Sequence, residues 1–251
     1  MWHKVANRLA QRFTVVLADL RGYGDSIGPE PLPDGSNYTF REMANDQAEV
    51  MAALGYSRFM AAGHDRGARV TLRMAMDHPQ RVHRAAFVDI APNSMIWSNM
   101  NAQLALREWH LILMAQRHDL PERLLTSVPA EILLHAFIPG IEKHEIFTEA
   151  ARAEYLRCLT PGMIKAACAD YRTYPTLDLA NDTADVGRKL SCSVMIIYGE
   201  ATYVCYDMLS LWSEYADNVI GGAVPDCVHY VAEEKPDALA GAFEAFFTGS
   251  N

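Results

Sequence analysis

Short apolar runs alternate with helical spacing along the first 90 residues and again after residue 190. The runs that predict buried strands are Phe13–Asp19, Phe59–Ala62, Arg84–Ile90, Ser193–Gly199 and, more weakly, Val219–Val224. Apolar spacing of three and four residues predicts helices over Trp2–Arg12, Thr39–Leu54, Val70–His78, Leu209–Tyr215 and Pro236–Phe247. Thr39 with Glu42 three residues later has the spacing of a capping box. This alternation predicts an α/β fold with a mostly parallel, doubly wound sheet.

The pattern changes between residues 95 and 180. This region is rich in Met and Leu at helical spacing, is interrupted by several prolines and contains no strong strand pattern. A helical insert between the strands of an α/β sheet is typical of a lid that lines a substrate pocket. We therefore predict an α/β core of residues 1–94 and 181–251 and a helical lid of residues 95–180.

Composition narrows the classes of function. The formal net charge is −9 and no run of five or six basic residues occurs, so we expect neither nucleic acid nor an anionic membrane as a partner. No apolar stretch approaches the ~18 residues that span a bilayer. The chain opens directly into helix-like sequence, which predicts no signal peptide. The cysteines lack the spacing of metal ligands and are predicted to be reduced thiols in a cytoplasmic protein: Cys158, Cys168, Cys192, Cys205 and Cys227.

The segment Gly63–Arg69 carries the clearest chemical signal. It follows the Phe59 strand and leads into a helix, and a residue held between Gly63 and Gly67 at such a junction is typical of a nucleophile elbow. The residue at the nucleophile position is Asp65, a carboxylate, which favours attack on an alkyl carbon over acyl transfer. Arg66 and Arg69 follow three residues apart on the first helical turn, so their side chains lie on neighbouring faces of the helix. Two guanidinium groups there suggest an anionic substrate.

Three segments together resemble the α/β-hydrolase superfamily: the elbow, Asp19–Ser26 and Cys227–Glu234. Within that superfamily the chain looks like a haloacetate dehalogenase of the fluoroacetate dehalogenase type. Arg69, Trp109–His110 and Asp170–Arg172 make this resemblance more specific than the elbow alone, which epoxide hydrolases share. It covers essentially the whole chain.

The resemblance implies an enzyme that hydrolyses a small 2-haloacid, such as haloacetate, to the hydroxy acid and halide. Asp65 would form an ester with the substrate, and His229 would activate the water that cleaves the ester. Asp89 would orient the imidazole of His229; the resemblance selects it over Glu200 and Asp207, which follow the next strand. Neither a metal nor an organic cofactor is implied.

The substrate contacts also follow from the resemblance. Arg66 and Arg69 would clamp the carboxylate of a small anionic substrate, and His110 and Tyr171 would bind the departing halide, although Tyr155 and Tyr174 compete for that helix face. The family has a tryptophan directly after the lid histidine, whereas this chain has Leu111. Because Leu111 has no N–H donor, we expect chloro- or bromoacetate to react better than fluoroacetate. The resemblance is also compatible with a homodimer.

A further expectation concerns the start of the chain. The family has additional strands and a His-Gly-Phe-Pro-like loop before the segment that begins here at Met1, so the N-terminal strands are predicted to be missing.

Two other functions stay open. An epoxide hydrolase would use the same aspartate and histidine, and an inactive or ligand-binding truncated hydrolase would keep the fold without the reaction.

Overall fold

The computed structural model describes residues 1–203 and 206–249. The strands are β1 (Phe59–His64), β2 (Val82–Val88), β3 (Ser193–Gly199) and β4 (Val219–Val224). The first helices in chain order are α1 (His3–Leu9), α2 (Phe40–Ala53), α3 (Arg66–Asp77), α4 (Asn93–Ser98), α5 (Ala102–Arg107), α6 (Trp109–Met114) and α7 (Leu120–Thr126). They are followed by α8 (Ala130–Phe137), α9 (Glu149–Cys158), α10 (Pro161–Thr173), α11 (Leu179–Ala184), α12 (Met208–Ser213), α13 (Val231–Glu234) and α14 (Pro236–Thr248). A 3-10 turn covers Ser36–Tyr38, and a π-helical turn covers Tyr174–Asp178.

The four strands form one parallel sheet in the order β1-β2-β3-β4. Their register is regular near the carboxyl ends, where Gly63 pairs with Phe87 and Val88 pairs with Ile197. Parallel strands need crossover connections, which helix α3 supplies between β1 and β2. The predicted α/β fold with a parallel sheet is therefore confirmed.

Helices cover both faces of the sheet, as a doubly wound fold requires. On one face Ala86 and Val88 of β2 belong to a buried apolar cluster with Val5 of α1 and Phe243 of α14. On the other face the ring of Phe87 stacks on Trp212 of α12, with ring centroids 4.7 Å apart. Alternate residues of β2 thus pack into separate layers because successive strand side chains point to opposite faces.

The predicted strand at Phe13–Asp19 is wrong. This segment has no regular structure, and Val16 and Leu17 are 36% and 58% exposed. A strand forms only where its backbone pairs with a neighbour, and no described residue provides a ladder to this segment. An apolar run alone therefore did not decide its structure.

The structure divides into two compact units. The first contains the sheet and comprises Met1–Leu17, Ala44–Pro92 and Val186–Asn251; the second comprises Ala18–Met43 and Asn93–Asp185. In the described part of the second unit the structured segments are helical, as the pattern over 95–180 predicts. The lid of residues 95–180 stays a prediction, because compactness does not establish that a unit opens and closes.

Within the second unit, polar contacts fasten the segment before α2 to the helices. The Tyr23 hydroxyl donates to Asp170 Oδ2 at 2.8 Å, and Arg157 pairs with Asp25 at 2.8 Å. Asp170 is fully buried, so its bond to Tyr23 contributes more than the exposed Arg157 pair.

Helix α2 begins at the predicted cap. The backbone N–H of Glu42 donates to Thr39 Oγ1 at 3.3 Å, which confirms the capping interaction at Thr39. The buried carboxylate of Asp178 accepts the N–H of Phe40 at 2.9 Å and the hydroxyl of Thr173 at 2.6 Å. This second cap comes from 138 residues away in the sequence, so local spacing could not reveal it.

Two observations bear on membranes and thiols. Among the described residues, no helix is long and apolar enough to cross a membrane. Cys158, Cys168, Cys192 and Cys227 are free thiols, whereas Cys205 lies outside the described residues.

Candidate active site

Three of the predicted site residues lie at the carboxyl ends of strands in the first unit. Asp65 follows β1, Asp89 follows β2, and His229 lies in the loop after β4. Carboxyl ends of parallel strands meet at one edge of a sheet, which is where open α/β sheets bind ligands. The fold therefore brings residues that are 164 positions apart, at 65 and 229, to the same edge.

The turn at Asp65 has the geometry of a nucleophile elbow. Asp65 has φ 47° and ψ −117°, a conformation that is strained for a residue with a Cβ. Its N–H donates to Val88 O at 3.1 Å, and its carbonyl accepts the N–H of Ala68 at 2.9 Å. Helix α3 thus starts directly from the strained residue. A Cβ on Gly63 would lie 2.2 Å from Gly67 O, so the turn closes only because Gly63 has none.

We expect Gly63 and Gly67 of the elbow to differ in how well they tolerate replacement by alanine. Gly63→Ala should displace the turn and lower both the melting temperature and any activity, since its Cβ would clash with backbone. Gly67→Ala is the matched control: its Cβ would meet nothing within 4 Å, and alanine is the better helix former by about 1 kcal/mol. Thermal denaturation of the two variants checks this. Equal melting temperatures would contradict the close approach at Gly63.

Asp89 and His229 form a short hydrogen-bonded pair. His229 Nδ1 lies 2.6 Å from Asp89 Oδ2, while the other carboxylate oxygen accepts the N–H of Gly199 at 2.7 Å. Asp89 is 1% exposed and has φ 51°. Burial raises the pKa of Asp89, although the bonds from His229 and Gly199 act in the opposite direction. With Nδ1–H donated to Asp89, Nε2 of His229 carries the lone pair that can accept a proton.

Positive groups keep the Asp65 carboxyl ionised. Burial alone would raise its pKa, but the electrostatic interactions with His229, His64, Arg69 and Arg66 outweigh burial and lower the pKa of Asp65 to about 2. Arg66 and Arg69 are themselves buried, at 7% and 8% exposure. Arg69 Nη1 donates to Ala91 O at 3.1 Å, which fixes its direction. A half-buried carboxylate beside buried guanidinium groups is suited to attack on an anionic substrate.

His64, directly before Asp65, contacts the histidine of the pair. Its ring centroid lies 4.5 Å from that of His229, and its Nε2 lies 2.7 Å from His229 O. Burial, with the charge of His229, lowers the pKa of His64 to about 3, so the ring is neutral at pH 7 and its Nε2–H donates. The sequence did not reveal this hydrogen bond.

The two residues predicted to bind halide lie in the second unit. The rings of His110 and Tyr171 meet edge to face, with centroids 5.9 Å apart. Trp109 stacks on Phe137 at 5.6 Å and is thus occupied in packing. Of the competing tyrosines, Tyr155 contacts Phe147, and Tyr174 packs on Phe40 and Trp97. His110 and Tyr171 therefore meet each other, as the prediction requires, and their binding of halide stays a prediction.

Sequence reasoning missed two residues of this site. Gly199 donates its N–H to Asp89, and a Cβ there would lie 1.7 Å from Val228 O, so the His229 loop passes directly over it. Glu234 accepts the N–H groups on both sides of His229, from Val228 and Tyr230. The spacing of Glu234 from His229 was visible in the sequence, but only the loop conformation turns the carboxylate back toward those groups.

No group of three or more His, Cys, Asp or Glu side chains in the described part of the chain is arranged to hold a metal ion. Burial, with the charges of Glu234 and Asp89, raises the pKa of the Cys227 thiol to about 12. Cys227 is therefore protonated at neutral pH and is a poor nucleophile.

Comparisons with known proteins agree with this geometry. Residues 1–121 match the family model for the alpha/beta hydrolase fold. A fluoroacetate dehalogenase from Burkholderia sp is 34% identical, over 99% of this chain and 83% of the relative. A soluble epoxide hydrolase from Corynebacterium sp. (strain C12) is 31% identical, over 98% of this chain and 85% of the relative.

Solved structures give the same family. A proposed α/β hydrolase from Nostoc sp PCC 7120 is 42% identical with a TM-score of 0.93, covering 98% of this chain and 86% of that chain. A mutant of a proposed epoxide hydrolase from Pseudomonas aeruginosa, with bound MFA, is 38% identical with a TM-score of 0.91, covering 99% and 84%. The chain belongs to the α/β-hydrolase superfamily. It is a hydrolase, since its relatives include both a fluoroacetate dehalogenase and a soluble epoxide hydrolase.

Proposed function

We propose that this chain hydrolyses a small 2-haloacid, such as haloacetate, to the hydroxy acid and halide through an ester on Asp65. The observation that carries the proposal is the strained Asp65 carboxylate whose low pKa comes partly from two buried arginines, Arg66 and Arg69. Neighbouring buried guanidinium groups suit the carboxylate of a haloacid, which they would bind bidentately. The similarity to a fluoroacetate dehalogenase supports the same substrate class.

In the first step Asp65 displaces the halogen. A carboxylate oxygen attacks the carbon that bears the halogen, a C–O bond forms, and the carbon–halogen bond breaks with its electron pair leaving on the halide. The low pKa of Asp65 keeps it ionised across the neutral range. Holding the substrate carboxylate on Arg66 and Arg69 would place the reacting carbon beside Asp65, which lowers the entropic part of the barrier.

In the second step water cleaves the ester. His229 Nε2 takes a proton from water, the oxygen adds to the ester carbonyl of Asp65, and the acyl–oxygen bond breaks as the hydroxy acid leaves. The proton on His229 then goes to the leaving oxygen or to solvent. Asp89, 2.6 Å from His229 Nδ1, stabilises the imidazolium during this step. The same residues are then ready for another substrate.

The proposed preference among halogens follows from Leu111, which is 9% exposed and has no side-chain donor. Fluoride depends most on hydrogen bonds when it leaves, because its bond to carbon is the strongest. Chloroacetate is therefore the substrate of choice for testing the proposal, with bromoacetate and fluoroacetate beside it.

Arg69→Gln tests the carboxylate clamp. We expect kcat/KM for chloroacetate to fall roughly 30- to 1000-fold, because the loss of one partner of a buried charge pair costs about 2–4 kcal/mol. The rate with chloroacetamide, which lacks the negative charge, should change little. The measurement is halide release from the two substrates by the wild type and the variant.

The next arginine along the same helix gives the matched control. Arg73 pairs with Asp77 at 2.6 Å, so Arg73→Gln should lower stability while leaving the preference for chloroacetate over chloroacetamide intact. A preference that survives Arg69→Gln would remove the clamp from the mechanism.

Epoxide hydrolysis is the second candidate, favoured by the similarity to a soluble epoxide hydrolase. The same carboxylate and histidine would open an epoxide and hydrolyse the resulting ester. A small neutral epoxide has no carboxylate for the arginines, so Arg69→Gln should not weaken its turnover. Wild-type turnover of a small epoxide without turnover of any haloacetate would favour this candidate over the first.

A further inference from the structure

The loop that carries His229 is hydrogen-bonded along its N–H edge by one carboxylate. Glu234 Oε2 accepts the N–H of Val228 at 2.8 Å, and Oε1 accepts the N–H of Tyr230 at 2.8 Å. The two bonded residues are the immediate neighbours of His229 in the chain. Both bonds have a charged acceptor, which makes them stronger than bonds between neutral groups.

The carbonyl edge of the same loop is also held. Ala201 N–H donates to Cys227 O at 3.1 Å, and His64 Nε2–H donates to His229 O at 2.7 Å. Underneath, Gly199 approaches Val228 O so closely that no Cβ fits. With both edges of the backbone fixed, the His229 side chain leaves the loop in one direction, towards Asp89.

Ordinary helix capping accounts for only half of what Glu234 does. Tyr230 is the N-cap of α13, so the bond from Tyr230 N–H to Glu234 stabilises the start of that helix. Val228 lies two residues before the N-cap, and its bond to Glu234 holds the loop instead.

The adjacent carboxylate shows the contrast. Glu233 is 2% exposed and its carboxylate pairs with Lys4 Nζ at 3.0 Å, which joins α13 to α1.

We propose that Glu234 is a positioning residue that holds the His229 imidazole against Asp89. The inference rests on the proposed function in one respect: His229 is needed for the water step and not for the displacement. Loss of the Glu234 bonds would let the loop shift, and a shift of about 1 Å at a reacting group can cost roughly 100-fold in rate. The expected kinetic effect is therefore confined to the second step.

Glu234→Gln tests the proposal with Glu233→Gln as its matched control. A glutamine side chain has one oxygen to accept an N–H, and its amide group would face the other N–H, so one of the two loop bonds is lost. Pre-steady-state halide release should keep its rate within about 3-fold, while steady-state turnover falls roughly 10- to 100-fold. Glu233→Gln removes the charge that pairs with Lys4, so it should lower the melting temperature and leave the ratio of the two rates unchanged.

A second measurement does not depend on activity. The proton on His229 Nδ1, in a 2.6 Å bond to Asp89, should give a far-downfield NMR resonance in the wild type. The proposal requires this resonance to shift upfield or broaden in Glu234→Gln and to stay in place in Glu233→Gln. An unmoved resonance in Glu234→Gln, or the same change in both variants, overturns it.

The two possible failures can be told apart. If the wild type releases no halide from any haloacetate, the proposed function fails, and the resonance still decides whether Glu234 positions His229. If Glu234→Gln does not fold, Glu234→Asp replaces it under the same criteria, since aspartate keeps the charge but is one methylene too short to reach both N–H groups.

Discussion

A His229→Gln variant is expected to release one equivalent of halide per protein molecule and then stop. Asp65 would still displace the halogen, because its carboxylate is ionised without help from a base: even with His229 removed, the charges of Arg69 and Arg66 lower its pKa. The ester would then accumulate, since glutamine cannot take the proton from water. Steady-state turnover should fall about 1000-fold or more.

The trapped ester can be measured directly. Mass spectrometry of the peptide that contains Asp65 should show the added mass of the acid after incubation with chloroacetate. His144→Gln, a change at an exposed histidine of the second unit, is the matched control and should turn over normally. Repeated turnover by His229→Gln would assign the activation of water to another group.

An Asp65→Asn variant is expected to lose turnover by about 10,000-fold or more, with no halide burst. Asparagine keeps the size of the side chain and tolerates a positive φ, so the elbow should fold, but the amide is a poor nucleophile. Asp119 also has a positive φ, of 54°, at an exposed turn. Asp119→Asn makes the same chemical change there and should leave the activity unaffected.

An experiment in isotopically labelled water, with Asp65→Asn as its control, tests whether the chain is a hydrolase of the proposed mechanism. In a single turnover the wild type should incorporate oxygen from water into the Asp65 carboxyl, because the oxygen that joins the product comes from the aspartate itself. Asp65→Asn should incorporate none during the same period. A wild-type chain that binds haloacid without any label on Asp65 would be a binding protein and not a hydrolase of this mechanism.

The sequence predicted the features that depend on local pattern. The strand at Phe59, the helix that follows the elbow and the cap at Thr39 all occur where spacing placed them. Phe13–Asp19 was wrong because a strand needs a partner, and partners are a property of the whole sheet. Asp178, which caps α2 from far along the chain, was not predictable for the same reason.

The residues of the candidate site also divide into those that the sequence predicted and those that it did not. Asp65 was visible because glycine spacing and a following helix mark an elbow, and the structure gives it the strained backbone of one. The pairing of Asp89 with His229 came from a resemblance, since spacing alone left Glu200 and Asp207 open. Glu234 was missed because its bonds depend on how residues 227–230 turn. Side chains that reach back to a loop leave no periodic signal.

The positive φ angles of Asp65 and Asp89 imply a conflict between stability and chemistry. Each costs about 1–3 kcal/mol that a glycine at the same position would not. A chain that had only to stay folded would gain stability by losing either side chain, and those losses would also remove the carboxylates. Asp65 and Asp89 are therefore two residues of the sheet edge whose replacement by glycine would improve the protein as a scaffold and damage it as a catalyst.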